Sequence, residues 1–147
     1  MYFMMSRRFN KTKPSDFGLI ETMNKGIFYR DSDNSYWEKK QLIDLGWGRE
    51  VGFFKLPKLN YDNLIELVMH SDIEDDFFGS ISILLDEYPR EFLALLERQF
   101  LQNVNQKRLR NITDILSTQL IFNSEHIKNQ SPDINIDLDR WKKIVGE

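Results

Sequence analysis

The sequence has no cysteine among its 147 residues, has two histidines, and has no apolar run as long as the roughly 20 residues that a membrane-spanning helix needs. The lack of cysteine excludes thiolate nucleophiles, zinc-thiolate sites and disulfide frameworks. Two histidines exclude a three-histidine metal site. We therefore expect a cytoplasmic protein, folded as a single domain over 1–147, with no bound metal or cofactor and no membrane partner.

Lysine and arginine are absent between Lys58 and Arg90. The net charge is +4 over residues 1–59, −8 over 60–91 and +1 over 92–147, so the small total of −3 conceals an acidic middle segment. A field of this sign repels nucleic acid and attracts cationic partners. The charge pattern predicts a protein partner with a basic surface and no nucleic-acid binding.

From about position 60 onward, apolar residues recur at helical spacing. In the second helical segment Phe77, Ile81, Leu84 and Tyr88 form one continuous apolar stripe. The pattern predicts a polar loop over 123–136. It predicts helices over 61–70, 74–88, 90–102 and 106–122 and a short C-terminal helix over 137–145.

The first 58 residues carry weaker signals. Ser35 and Glu38 have the spacing of a capping box, which predicts a helix over 36–45 that ends at Gly46. A second short helix is expected over 15–25, closed by Gly26. The sequence also allows short extended or β segments near 26–30 and 50–56, although 48–55 could equally be a buried loop that leads to Pro57.

The run from Leu64 to Pro89 resembles a HEAT-type unit, in which a leucine-rich helix leads through a short Asp-bearing turn into a second helix. A shift of 31 residues brings the apolar positions of this run onto those of the following helices, and the resemblance covers about 60–122. It implies a mainly α fold of stacked helical hairpins, with about five to six helices. It also implies a binding scaffold, because HEAT-like proteins are usually scaffolds.

Two residue pairs keep a catalytic alternative open. Glu38 and Lys40 match the Glu-x-Lys element of some metal-dependent nucleases, with Asp31 or Asp33 as an upstream partner. That element needs a strand, whereas the capping box favours a helix. Glu66 and His70 are spaced i, i+4 and can meet on one helix face. A metal-dependent enzyme of unknown class would use one of these pairs.

The acidic segment is the main candidate site. On the second predicted helix, two lines of residues lie away from the apolar stripe. One line consists of Asp75, Gly79, Ser82 and Asp86, and the other of Asp76, Ser80, Ile83 and Glu87. They predict a docking face for a basic protein, on which carboxylates steer the encounter and set specificity. The function expected is therefore non-catalytic protein binding, for example as a bacterial immunity protein that neutralises a basic toxin, with a regulatory adaptor as the alternative. The residues of the predicted face are Asp72, Glu74, Asp75, Asp76, Asp86 and Glu87.

Overall fold

The computed structural model describes residues 1–5, 14–22, 27–44, 49–102 and 105–127, together with 140 and 143. The chain divides into two compact units. The first unit consists of Met1–Ile43 and Gly48–Leu84, and the second of Asp44–Trp47 and Leu85–Glu147. The strands are β1 (Phe3–Met5), β2 (Ile20–Glu21), β3 (Phe28–Arg30), β4 (Tyr36–Asp44) and β5 (Arg49–Lys55). The α-helices are α1 (Tyr61–His70), α2 (Glu74–Glu87), α3 (Pro89–Gln102) and α4 (Gln106–Ile127).

The five strands form one antiparallel sheet in the order β1-β5-β4-β3-β2. Phe3 lies opposite Phe54 in the β1/β5 pair, and Tyr29 lies opposite Trp37 in the β3/β4 pair. The prediction of a mainly α fold of HEAT-like stacked hairpins is therefore wrong, and the chain is an α/β protein. The amphipathic periodicity identified the helices correctly, but it carried no information about the sheet that precedes them.

An aromatic cluster fills one face of the sheet. Leu19, Tyr29, Trp37 and Phe53 are buried there, and Phe17 packs against them. The rings of Tyr29 and Phe53 meet edge to face with their centroids 5.2 Å apart, which is a favourable geometry for aromatic pairs. This burial raises the pKa of the Tyr29 phenol above its ordinary value.

The β3–β4 hairpin replaces the helix expected over 36–45. Asp31 Oδ1 accepts hydrogen bonds from the backbone N–H groups of Asp33 and Ser35, each at 2.9 Å, and Oδ2 accepts one from Trp37 Nε1 at 2.9 Å. The hydrogen bond from Trp37 is the main reason that the pKa of Asp31 lies below its ordinary value. The capping-box interpretation is wrong because Asp31 organises the turn and Ser35 precedes a strand. Trp37 is buried in the sheet while Tyr36 is exposed, as alternation along a strand requires.

The prediction of a short helix over 15–25 is also wrong for residues 15–22, the part of that range that the structure describes. A 3₁₀ turn over Pro14–Phe17 is followed by Gly18 at φ +73° and then by β2. The left-handed conformation suits glycine and ends the turn. The extended segments expected near 26–30 and 50–56 are confirmed as β3 and β5.

The four helices predicted from residue 60 onward are confirmed. Asn60 caps α1, because its side-chain oxygen accepts a hydrogen bond from the Asn63 N–H at 2.9 Å. Helix α4 continues to Ile127, beyond its predicted end at 122 and into the segment expected to be a loop. The proposed glycine caps at Gly26 and Gly46 and almost all of the expected helix over 137–145 lie outside the described residues.

In the second unit, α3 and α4 each bury one apolar side. A charged pair holds Arg140 to the Glu97 carboxylate of α3. No helix in the described part of the chain is both long and apolar enough to cross a bilayer. Among the residues of the two helices whose burial the structure describes, 89–102 and 106–116, the buried side chains are Phe92, Leu93, Leu96, Leu109, Ile112, Ile115 and Leu116.

Candidate functional site

Along its central turns, helix α2 is buried on most of its sides. The sequence predicts instead that one face of this helix is polar and exposed to solvent. Gly79, Ser80 and Ser82, expected between the carboxylates of a solvated face, are buried. A Cβ atom on Gly79 would lie 2.8 Å from Phe3 Cβ and closer still to the Phe3 ring. Glycine at this position therefore lets strand β1 approach the helix closely, which offsets its low helix propensity.

Asp76 is 1% exposed and serves the fold of the first unit. Its Oδ1 atom accepts hydrogen bonds from the backbone N–H groups of Tyr2 at 2.7 Å and Phe3 at 2.9 Å. Hydrogen bonds from N–H groups to a carboxylate are stronger than those between neutral partners. Asp76 therefore anchors β1 beneath α2 and is not accessible to a partner.

Three other members of the predicted face lie together at the start of α2. Asp72 and Glu74 are exposed and Asp75 is half-buried, and we call these three residues the acidic corner. Ser71 Oγ accepts a hydrogen bond from the Ile73 N–H at 3.1 Å, which fixes the turn between α1 and α2. Ile73 itself is 42% exposed between two carboxylate residues.

The remaining two members, Asp86 and Glu87, belong to the second unit. They are exposed in the last turn of α2, which contains no basic residue. The negative end of a helix dipole does not favour carboxylates, whereas the positive end favours those of Glu74 and Asp75. The six predicted residues thus fall into a buried anchor, an acidic corner and a separate pair.

The structure places Glu38 and Lys40 on strand β4, which is the element that a Glu-x-Lys nuclease site requires. The Asp31 carboxylate is hydrogen-bonded to Trp37, whose side chain lies on the face of the sheet opposite to that of Glu38. Asp31 therefore does not join Glu38. Across the described ranges, no group of three or more histidine, aspartate or glutamate side chains is arranged to hold a metal ion.

Glu66 and His70 are both exposed on α1 at the predicted i, i+4 spacing. His70 lies in the last turn of α1. A cavity of about 10 Å³ lined by Phe3, Phe54 and Leu64, among others, lies in the same unit. That volume holds about one water molecule and is too small for an organic substrate.

Sequence reasoning missed the structural role of Asp76, although one signal for it was present. Gly79 and Ser80 follow Asp76 within four residues, and a group of small residues on one helix face favours close packing of another element. An aspartate beside such a group is a candidate for a buried hydrogen-bond acceptor. What no local pattern reveals is that the donors are Tyr2 and Phe3.

Comparisons with protein-family models, with curated proteins and with solved structures find no match to this chain.

Proposed function

We propose that the protein is a non-catalytic protein-binding domain that docks a cationic protein surface on the acidic corner. The observation that carries the proposal is the exposed Ile73 between the carboxylates of Asp72 and Glu74, in a sequence segment without lysine or arginine from 59 to 89. An apolar contact surrounded by charged groups is the usual composition of a protein interface, with a dry centre and a polar rim.

The carboxylates of the acidic corner and the side chain of Ile73 contribute to binding in different ways. Carboxylates at the rim act at long range, so they raise the association rate and select partners by charge. Ile73 contributes by burying apolar area on contact, worth roughly 25 cal/mol per Å² before the costs of association are subtracted. Because exposed charges are screened, the affinity of this docking decreases as ionic strength rises.

The finer form of this proposal is an immunity protein that covers a basic toxin, often a nuclease, with carboxylates in the place of substrate phosphates. The acidic segment and the absence of cysteine support this form. A neighbouring reading frame that encodes a large secreted toxin would favour it, and purification of that toxin in complex with this chain would test it.

The test is affinity capture of a partner from the native host with three forms of the protein. The acidic-corner variant carries Asp72→Lys, Glu74→Lys and Asp75→Lys. A matched control carries the same charge change at three exposed acidic residues elsewhere in the described chain, including one in the first turn of a helix. The control substitutions are Asp33→Lys, Glu91→Lys and Asp114→Lys.

The proposal predicts that one cationic protein is captured by the unaltered chain and by the control, and is lost from the acidic-corner variant. Both variants should retain their helical circular dichroism, since the substituted side chains are exposed or half-buried. Of the six, Glu74, Asp75 and Glu91 lie in the first turn of a helix, where a favourable charge contributes only about 0.3–1 kcal/mol. Capture that is equal for all three forms would show that the acidic corner does not bind. A separate double variant, Asp86→Ser with Glu87→Gln, tests the second acidic pair by the same assay.

A further inference from the structure

Two exposed apolar side chains and one arginine form a row across strands β2, β3 and β4. In the antiparallel register Ile20 pairs with Arg30, and Arg30 pairs with Tyr36. Directly paired residues project their side chains from the same face of the sheet. Ile20 is 63% exposed, Tyr36 is 51% exposed and Arg30 is exposed. We call these three residues the sheet row.

The sheet row lies on the face of the sheet that α2 covers at its other end. Tyr29 contacts Phe53 on the opposite face, so Arg30 shares its face with Phe54. Phe54 and its partner Phe3 are buried, and Phe3 lies directly beside Gly79 of α2. A solvated face of an antiparallel sheet is normally polar, whereas an isoleucine and a tyrosine flank the arginine here.

We propose that the sheet row binds a protein segment that presents a carboxylate between aliphatic or aromatic side chains. The planar guanidinium of Arg30 matches a carboxylate with two parallel hydrogen bonds. Ile20 and Tyr36 on either side supply apolar contacts that exclude water from that pair, and tyrosine and arginine are the residue types that dominate binding energy at protein interfaces. This inference is independent of the acidic corner, which has the opposite charge.

The surroundings of Arg30 favour a peptide carboxylate over a nucleic-acid backbone. Glu38 pairs with Phe28 and projects from the same face as Tyr36, two residues further along β4. A polyanion that followed the strands would meet this glutamate, whereas a single carboxylate flanked by apolar groups would not. Nucleic-acid binding also needs several cations along the path of the phosphates.

Selection from a displayed library of random heptapeptides tests the proposal, with the full chain as bait and the Arg30→Glu variant for counter-selection. We expect enriched peptides that contain Asp or Glu next to Ile, Leu, Val or Phe. In fluorescence anisotropy with the enriched peptide, Arg30→Glu should weaken binding by about tenfold or more and Tyr36→Ser by several-fold. The control Arg98→Glu, which makes the same charge change at an exposed residue of α3, should bind as the unaltered chain does.

If the charge reversal disturbs folding, Arg30→Gln serves as a second variant, because it removes the charge and keeps a polar side chain. It should also weaken binding of the enriched peptide. The proposal is overturned if no enriched peptide depends on Arg30, or if the enriched peptides lack acidic residues. It is also overturned if a labelled oligothymidylate binds in an Arg30-dependent manner. Sedimentation equilibrium that shows dimers dissociated by Arg30→Glu would instead make the sheet row an interface between copies of the chain.

Discussion

Replacing Asp76 with alanine should detach or loosen strand β1 and lower the free energy of unfolding. The buried N–H of Phe3 loses a hydrogen bond to a charged acceptor, worth roughly 1.5–3 kcal/mol. The N–H of Tyr2 loses a similar bond, but Tyr2 is 42% exposed and its N–H regains water, so its share is smaller. The expected loss is about 2–4 kcal/mol, a large part of the roughly 5–15 kcal/mol that stabilises an ordinary domain.

Asp75→Ala is the matched control for this substitution. Asp75 lies in the same first turn of α2 and has the same interaction with the helix dipole, so its removal should cost about 0.3–1 kcal/mol. Urea unfolding monitored by circular dichroism gives both values, and amide hydrogen exchange at Phe3 reports β1 directly. If Asp76→Ala costs no more than Asp75→Ala, the assignment of Asp76 as the anchor of β1 is refuted.

Three further substitutions test the packing of α2 and the β3–β4 turn. Gly79→Ala should lower the free energy of unfolding by about 1–2 kcal/mol, because overlap with Phe3 outweighs the gain of about 1 kcal/mol in helix propensity. In urea unfolding, the double variant with Phe3→Ala should lose less free energy of unfolding than the sum of the two single losses. Additive losses would contradict the contact between Gly79 and Phe3. Ser80→Ala should raise the free energy of unfolding by about 1 kcal/mol, since the buried Ser80 Oγ has no hydrogen-bond partner. A decrease in the free energy of unfolding, measured in urea, would contradict this, because it would mean that the hydroxyl is hydrogen-bonded. Asp31→Asn should lower the free energy of unfolding at neutral pH. Its difference in free energy of unfolding from the unaltered protein should shrink as the pH falls from about 4 through the lowered pKa of Asp31, because the ionised carboxylate stabilises the fold only above its folded-state pKa. A difference that is independent of pH would contradict the charged hydrogen bond to Trp37.

The helices from residue 60 onward were predictable because each buries an apolar stripe whose period is visible within its own sequence. Strand β4 was not, because the Ser35 to Glu38 spacing imitates a helix start and the decisive interaction is that of Asp31 with Trp37. Local patterns compete at such places, and the sheet partners decide between them. The HEAT-like interpretation failed for the same reason, since it rested on the helical segment alone.

The candidate site was predictable in its charge but not in its geometry. The sequence alone shows that carboxylates are concentrated between residues 60 and 91, and helix periodicity placed Asp76 beside Asp75 as though both faced solvent. The structure separates them because Asp76 binds backbone groups 73 and 74 positions earlier in the chain. A contact of that sequence separation leaves no periodic signal near the helix. The sheet row was missed likewise, since pairing across three strands brings Ile20, Arg30 and Tyr36 together.

The dissociation constant of the captured cationic partner, measured at low and at physiological salt, tests the proposed function most directly. For the acidic-corner variant, with Asp72, Glu74 and Asp75 all changed to lysine, we expect binding at low salt to be at least about tenfold weaker, with a flatter dependence on salt. The control with Asp33, Glu91 and Asp114 changed should keep the affinity of the unaltered chain within about threefold, since none of these three carboxylates belongs to the acidic corner. Equal affinities for the two variants would contradict docking on the acidic corner.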